Sequence, residues 1–406
     1  MKLLFLAPSR LSRGDAGIAA DLARQLPRKQ FQVGFVAAAE AVPLLHDLGM
    51  PTLALSGGAP GGNLAALDRI VQGFRPDLLI AADAFALHQS REWSGLSLAL
   101  LRERYGHPVA SLDRLGWDTA GYTVDFYGGA QVQLPPLLDG CDLLIRTGPP
   151  HAPQTARPGV TVTGLHRGGL RDGGLRPAGA GGTDGGGTGD GRPVVFLVNS
   201  PWEYRSPLAS LPTAHLIDAL PRIVHSHLAA LRRPLRVVHV GPRRWRFPVA
   251  DQIDYQHFSR LPYPMFHARL AAADLFLTTN VLSATLGRAV QAGVPALVLQ
   301  NHRRLPAAAV PGWLATAAPL LRTAYPFRVA PLGWHDLVAP LLAGNPYQDC
   351  FATAGVFERA AVRRALTELL DAGPERARLR QRQHDYTEQV ARLAPPVDAL
   401  REVLPR

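Results

Sequence analysis

Cysteine is nearly absent from this chain of 406 residues: Cys141 and Cys350 stand far apart and match no metal-binding or redox spacing. That excludes a disulfide framework and a thiolate zinc site, and it suits a reducing, cytoplasmic compartment. Lysine is equally scarce. Of 43 basic residues only Lys2 and Lys29 are lysines, so the formal net charge of +11 is carried by arginine. Heavy use of Arg, Ala, Gly and Pro over Lys and Asn is the imprint of a GC-rich genome. The arginines are dispersed and no nucleic-acid-binding motif accompanies them. We therefore expect no specific nucleic-acid partner, while an anionic substrate stays compatible with the charge. Long apolar runs are missing too. The start, MKLLFLAPSR, is too short an apolar run for a signal peptide, and no later run is long enough to span a bilayer. HExxH, GxSxG, Walker A and zinc patterns do not occur, so those chemistries lack support and no metal site is expected.

What remains is an ordinary globular composition, 47% hydrophobic and 18% charged, at a length that suggests two domains with a core each. Over residues 1–151 short apolar runs alternate with helical patterns. Strands are expected at Leu3–Ala7, Val33–Val36, Thr52–Leu55, Leu78–Ala81, Pro108–Ser111 and Leu143–Ile145. Helices are expected at Ala16–Leu26 and near 40–48, 63–74 and 94–105. Such alternation implies right-handed crossovers and a parallel sheet covered on both faces. Residues 152–192 differ. The run GAGGTDGGGTGDG has too few apolar side chains to offset the entropy of ordering. It reads as a linker or an insertion, with Val160–Thr163 a short strand before it; residues 171–191 should tolerate shortening. Residues 193–406 resume the alternation, with strands at Val194–Val198, Arg236–Val240 and Tyr255–Phe258 and another near Phe327–Ala330. Helices are read at Thr213–Leu231 and Met265–Ala273, and a long helical region over Glu358–Leu393.

The stretch from Asp274 to Gln300, DLFLTTNVLSATLGRAVQAGVPALVLQ, is the most organised part of this half. An apolar strand ends in Thr278, Thr279 and Asn280. Ser283 then offers a hydroxyl as N-cap, and Leu286, Ala289 and Val290 line one face of a helix that Gly293 and Pro295 close. Ala296–Leu299 is the next strand. A polar strand end facing a helix N-terminus presents amides and a positive dipole end to an anion. Ligands of open α/β sheets bind outside the carboxyl ends of the strands, which singles out Asn199, Ser200, Trp202, Gly241, Thr279, Asn280 and Ser283. Gly241 allows close backbone approach, and Arg243 and Arg244, which follow, are a candidate phosphate clamp or a solvated loop. In the first half, Asp113, Asp118 and Asp125 stand among Trp117, Tyr122, Phe126 and Tyr127, a mixture that suits polyol recognition with one carboxylate as general base, or a packed loop with capping aspartates. His88 and Glu92, one helical turn apart, are a second base candidate or a surface pair. The loop SRGDAG, residues 12–17, is an acceptor or phosphate contact, or an ordinary turn in which Asp15 caps a helix.

The Ser-Ala-Thr step into the helix, the Ala-Gly-Val-Pro exit and the Pro262-Tyr-Pro-Met-Phe entry upstream resemble the C-terminal nucleotide-binding unit of GT-B glycosyltransferases. Within them the N-acetylglucosaminyltransferase group of peptidoglycan synthesis is the nearest in pattern. The resemblance covers under a fifth of the chain. It implies two Rossmann-like α/β domains facing a cleft, acceptor side first and donor side second, and a C-terminal helix that crosses back to the first domain. It also implies a metal-independent enzyme, with no cofactor beyond a nucleotide-sugar donor as substrate and a small-molecule or peptide acceptor. Thr285 joins the donor-binding set by the same match, and Phe258 and Tyr263 fall where a nucleobase would stack. The chain departs from the family where a Glu on this helix holds the donor ribose: the equivalent position is Arg288, which cannot accept hydrogen bonds from a diol. A GT-B-like binding or accessory protein, or a sugar-nucleotide epimerase or hydrolase, are the alternatives.

Overall fold

The structure, a computed structural model, describes residues 1–55, 58–118, 136–149, 159–165, 191–205, 211–300, 311–317 and 342–401. The described residues fall into two compact units, the first drawn from 1–121, 134–174 and 388–406 and the second from 175–387. Each unit is a parallel α/β sheet.

In the first unit the strands are β1 (Lys2–Ala7), β2 (Gln32–Ala38), β3 (Thr52–Leu55), β4 (Leu78–Ala81), β5 (Val109–Asp113), β6 (Leu143–Gly148) and β7 (Val160–Gly164). They pair in the order β3-β2-β1-β4-β5-β6-β7. The central strand β1, KLLFLA, is buried along nearly its whole length, as a strand covered on both faces must be. Helices α1 (Gly14–Arg24), α2 (Val42–Asp47), α3 (Pro60–Phe74), α4 (Ala84–Gln89), α5 (Arg91–Ser94) and α6 (Leu98–Tyr105) make the crossovers. From β1 the chain builds outward through β2 and β3, then returns to the other side of β1 with β4. The direction of construction reverses between β1 and β4, and the loops after these two strands part to either side.

The second sheet repeats this plan. Its strands are β8 (Val194–Val198), β9 (Leu235–Val240), β10 (Ile253–Phe258), β11 (Leu275–Thr278), β12 (Ala296–Gln300) and β13 (Ala352–Gly355), in the order β10-β9-β8-β11-β12-β13, with its reversal between β8 and β11. Its helices are α7 (Pro201–Arg205), α8 (Leu211–Ala229), α9 (Tyr263–Ala271), α10 (Ala284–Gln291), α11 (Gly312–Ala317), α12 (Arg359–Leu370) and α13 (Pro374–Ala391). Ile223, Val224 and Leu228 of α8 and Val362, Leu366 and Leu369 of α12 share a core with Leu197, Val237, Leu275 and Leu277 of the sheet. Burying such side chains stabilises by about 1.5–3 kcal/mol each. The long helical region read over Glu358–Leu393 is two helices. Pro374 has no amide to continue the first, and the chain turns through Gly373, whose amide bonds the Asp371 carbonyl at 2.8 Å. The edge strand β13, ATAG, was not legible: its residues are small and only partly buried, so it carries no apolar run. The strand read near Phe327–Ala330 and the shortening tolerance of 171–191 lie outside the described residues. Among the described residues no helix is long and apolar enough to cross a membrane.

The end of α13 and a last helix, α14 (Pro396–Arg401), belong to the first unit. Thr163 Oγ1 donates to the Ala394 carbonyl at 2.8 Å, and Gly164 lies against α13 so closely that an added Cβ would sit 2.3 Å from the Val390 carbonyl oxygen. Gly164→Ala is therefore expected to destabilise the protein by about 1–3 kcal/mol, through forced separation of β7 and α13. Denaturant melts of wild type and variant check this; equal midpoints would mean that the contact is loose.

Candidate functional site

The reversal points of the two sheets are where strand-end loops diverge and open a crevice for ligands. Each carries a buried polar cluster.

In the first unit, the loop after β1 is folded by the Ser12 amide donating to Ser9 Oγ at 2.9 Å, and it leads into α1 with Asp15 in the first turn. Asp15 makes no capping bond. Its side chain is buried, at 6% exposure, and neither carboxylate oxygen has a hydrogen-bond partner of good geometry. Burial raises its pKa to about 6; the Ser12 hydroxyl, the amides of Asp15 and Ala16 and the charge of Arg114 temper the rise. The loop after β4 supplies Asp83, which caps α4 by accepting from the Ala86 amide at 2.7 Å. Its other oxygen accepts from Trp117 Nε1 at 3.1 Å, and the Trp117 ring stacks on Phe85 at 5.0 Å. Although the residue is half-buried, its carboxyl is enclosed by these partners. Desolvation, with smaller contributions from the charges of Asp15 and Asp113, pushes it to about 7, against the pull of the Ala86 and Trp117 donors. Burial thus lifts two carboxyls on neighbouring strand ends well above the usual carboxylate range, to about 6 and about 7.

Asp113, at the end of β5, has a different task. One oxygen accepts from the amides of Leu115, Gly116 and Trp117 at 3.1, 2.8 and 3.2 Å, while the other meets Arg146 Nε at 3.3 Å. This nest shapes the turn that delivers Trp117 to Asp83. Asp118, read from the sequence as a candidate base, is engaged by the same guanidinium, with 11% of its side chain exposed. A carboxylate held against arginine is a poor base at neutral pH. Asp125 lies outside the described residues. His88 is half-buried on α4, and burial, then Arg91, lowers its pKa. Glu92 belongs to the separate helix α5, because Ser90 ends α4 by turning its hydroxyl and amide back onto the Ala86 carbonyl. The two do not share one helical face.

The second cluster lies where β8, β9 and β11 end. Glu203, in α7, is buried and accepts from Asn199 Nδ2 at 2.9 Å, Ser200 Oγ at 3.2 Å and Asn280 Nδ2 at 2.9 Å. Desolvation raises its pKa, opposed by these donors. Asn199 Oδ1 meets His239 Nε2 at 3.1 Å, His239 Nδ1 meets the Tyr255 hydroxyl at 2.7 Å, and that hydroxyl accepts from the Trp245 amide at 3.1 Å. Burial, and then His257, holds His239 far below its usual range, at about 3, so the ring is neutral. Gly241 is required here by close approach: a Cβ would lie 3.1 Å from His239 Nε2 and 3.2 Å from the Asn199 carbonyl. Its freedom is thus used inside the chain. Leu197, Glu203, Ile217, Val224, Trp245, Thr279 and their neighbours line a small, partly open pocket.

Of the remaining sequence candidates, Arg243 pairs with Asp218 at 3.1 Å and lies over the Tyr204 ring at 4.7 Å. Ser283 caps α10, accepting from the Thr285 amide at 3.2 Å, and Leu286, Ala289 and Val290 are buried as their spacing predicted. Arg288 is half-buried with its guanidinium 5.5 Å above the Tyr263 ring. Phe258 packs under Arg269 at 4.6 Å. The structure therefore gathers Asn199, Ser200, Gly241 and Asn280 at one place, and Arg288 with Tyr263 at another. The sequence does not single out Asp83, Glu203 or His239, and it leaves the loop of Asp15 as an acceptor or phosphate contact or as a turn that Asp15 caps. Only the strand order marks these residues, and no spacing in the sequence carries it.

A sheet pair with this element order, each reversed about a polar strand end, invites comparison with known proteins. Residues 22–406 match the model of a family of unknown function, DUF6365. The chain belongs to that family. Among curated proteins none matches it. Solved structures do match over nearly the whole chain. The spinosyn forosaminyltransferase SpnP is similar with a TM-score of 0.56 at 14% identity, covering 99% of this chain and 98% of that one. SnogD, a glycosyltransferase from Streptomyces nogalater, gives 0.55 at 14% identity, covering 99% of each. The spinosyn rhamnosyltransferase SpnG complexed with thymidine diphosphate gives 0.53 at 15% identity, covering 99% of this chain and 100% of that one. At such identity the likeness shows the fold, which is GT-B, and the expectation of two Rossmann-like α/β domains holds.

Proposed function

We propose that this chain is a glycosyltransferase that moves a sugar from a nucleotide-linked donor to a small-molecule or peptide acceptor. The observation that carries the reading is Asp15: a buried carboxyl without a good hydrogen bond, at the reversal point of the first sheet, with its pKa lifted toward neutrality. A structural carboxylate is normally hydrogen-bonded, whereas a base needs lone pairs left for its substrate. Asp15 would take the proton of the attacking hydroxyl or amine as the new glycosidic bond forms and the nucleoside diphosphate departs with the electrons of the old one. Asp83 would hold a proton beside it, and Trp117, positioned by Asp113, would keep Asp83 in place. Kinship with the N-acetylglucosaminyl group rests on the Asp274–Gln300 unit and the Pro262–Phe266 entry, and donor sugar specificity is not extended from it.

A thymidine diphosphate complex among the similar structures makes dTDP-sugars the first donors to try. Incubation with dTDP-, UDP- and GDP-sugars and a panel of hydroxylated aglycones, followed by mass spectrometry, tests the reading. Glycosylated product with at least one donor is the expected result; intact donor throughout would favour a binding or accessory protein. That second reading has its own support in the carboxylate of Glu203, which stands where a donor phosphate would be expected.

Arg288 gives a further test. With its guanidinium at the Tyr263 ring it would grip the donor phosphate in place of the ribose contact of related enzymes. Arg288→Glu reverses that charge and is expected to weaken nucleoside diphosphate binding at least tenfold in calorimetric titration. Unchanged affinity would remove Arg288 from the site.

A further inference from the structure

The donors around Glu203 come from two neighbouring strand ends and all point inward. Asn199 Nδ2 reaches one carboxylate oxygen, and Asn280 Nδ2 and Ser200 Oγ reach the other. Behind Asn199 a single direction of donation satisfies every atom. The Trp245 amide donates to the Tyr255 hydroxyl, the hydroxyl to His239 Nδ1, His239 Nε2 to Asn199 Oδ1, and the Asn199 amide to Glu203. The network ends on the carboxylate. Asn280 is itself fixed, its Oδ1 accepting from the Leu282 amide at 2.9 Å and its own amide bonding Thr278 Oγ1 at 3.0 Å. Neutral donors converging at the reversal point of a parallel sheet are the usual equipment for holding a ligand anion. Here the acceptor belongs to the chain, and three donors converging on Glu203 favour its ionised form against the desolvation that raises its pKa. Of the two arginines predicted for this edge, Arg243 is turned to Asp218.

We propose that Glu203 is a resident anion: its carboxylate fills, from within the chain, the place at the β8–β11 reversal where a ligand phosphate would sit, and it excludes phosphates from these strand ends. Asn199, Ser200 and Asn280 then recognise Glu203 and not a diphosphate. A consequence that rests on the transferase reading is that the donor's diphosphate is received on the α10 side, at Ser283, Thr285 and Arg288.

Inorganic pyrophosphate is the probe. Glu203→Gln keeps the shape of the side chain and removes its charge. Calorimetric titration is expected to show pyrophosphate binding the variant at least tenfold more tightly than wild type; equal or weaker binding overturns the proposal. Glu203→Ala leaves the three donors without their acceptor, and formate should fill the gap. Formate at tens of millimolar is expected to raise the melting temperature of Glu203→Ala by several degrees and leave wild type unmoved, while equal shifts in both proteins overturn the proposal. Neither readout requires a sugar donor. Gain of pyrophosphate binding without sugar transfer by wild type would sink the transferase reading alone. Transfer by wild type with no gain in Glu203→Gln would sink this proposal alone.

Discussion

Asparagine at position 15 is expected to cut sugar transfer by about 10²–10⁴-fold while making the protein more stable at alkaline pH, a combination that a structural residue would not show. The rate loss follows from removing a buried carboxyl at the first reversal point whose two oxygens have no hydrogen-bond partner of good geometry among the described residues. The stability gain follows from the direction of the shift. The folded-state pKa of Asp15 is raised from 3.8 to about 6, so the folded protein binds this proton more tightly than the unfolded chain does. Its contribution to stability is fully present below pH 3.8 and is lost as pH rises through about 6. At pH 8 the buried charge costs up to about 3 kcal/mol, which Asp15→Asn would recover, whereas near pH 3.5 the two proteins should unfold alike. Urea titrations at both pH values, with the rate measured against pH in wild type, check both halves. The wild-type rate should climb through about pH 6 as the base deprotonates. A variant that is both active and no more stable would remove Asp15 from the chemistry.

The second large effect is expected at Arg146. This side chain, 6% exposed on β6, lies between Asp113, which is fully buried, and Asp118. Arg146→Met removes the cation and leaves two enclosed carboxylates facing each other. We expect a loss of about 3–5 kcal/mol at neutral pH, since breaking one partner out of a buried pair strands the other's charge. The damage should spread, because the turn held by Asp113 carries Trp117, and Trp117 holds Asp83. Chemical denaturation gives the first number, and fluorescence of Trp117 against its Phe85 neighbour reports the turn. A loss below about 1 kcal/mol would show that the three charges are solvated after all.

Much of the architecture is legible in the residues. β4 and β8 begin and end where LLIA and VVFLV do, because a strand buried on both faces must be apolar throughout and its neighbours in sequence are not. The unit around α10 was fully readable: Ser283 caps, Leu286, Ala289 and Val290 face inward, and Gly293 leaves the helix at a φ of 67°. Short elements of small residues were not readable, as β13 shows. The clusters were legible only in part. Asn199, Ser200 and Asn280 stood out as polar residues at strand ends, but their ligand did not, because Glu203 sits inside a short helix and resembles a surface residue in sequence. Asp15 and Asp83 are neighbours only because β1 and β4 pair, from Leu3 beside Leu78 to Leu6 beside Ala81. Long-range pairing of that kind leaves no periodic trace, and a buried carboxyl looks in sequence like any other aspartate.

The most direct test of the central claim is a pair of single-turnover measurements with dTDP-sugar and a hydroxylated aglycone, one with wild type and one with Asp15→Asn. The account expects wild type to yield glycosylated aglycone and dTDP in equal amounts, and Asp15→Asn to bind dTDP with unchanged affinity but to form product at least a hundredfold more slowly. Equal rates in the two proteins, or no product from wild type with any donor it binds, would contradict it.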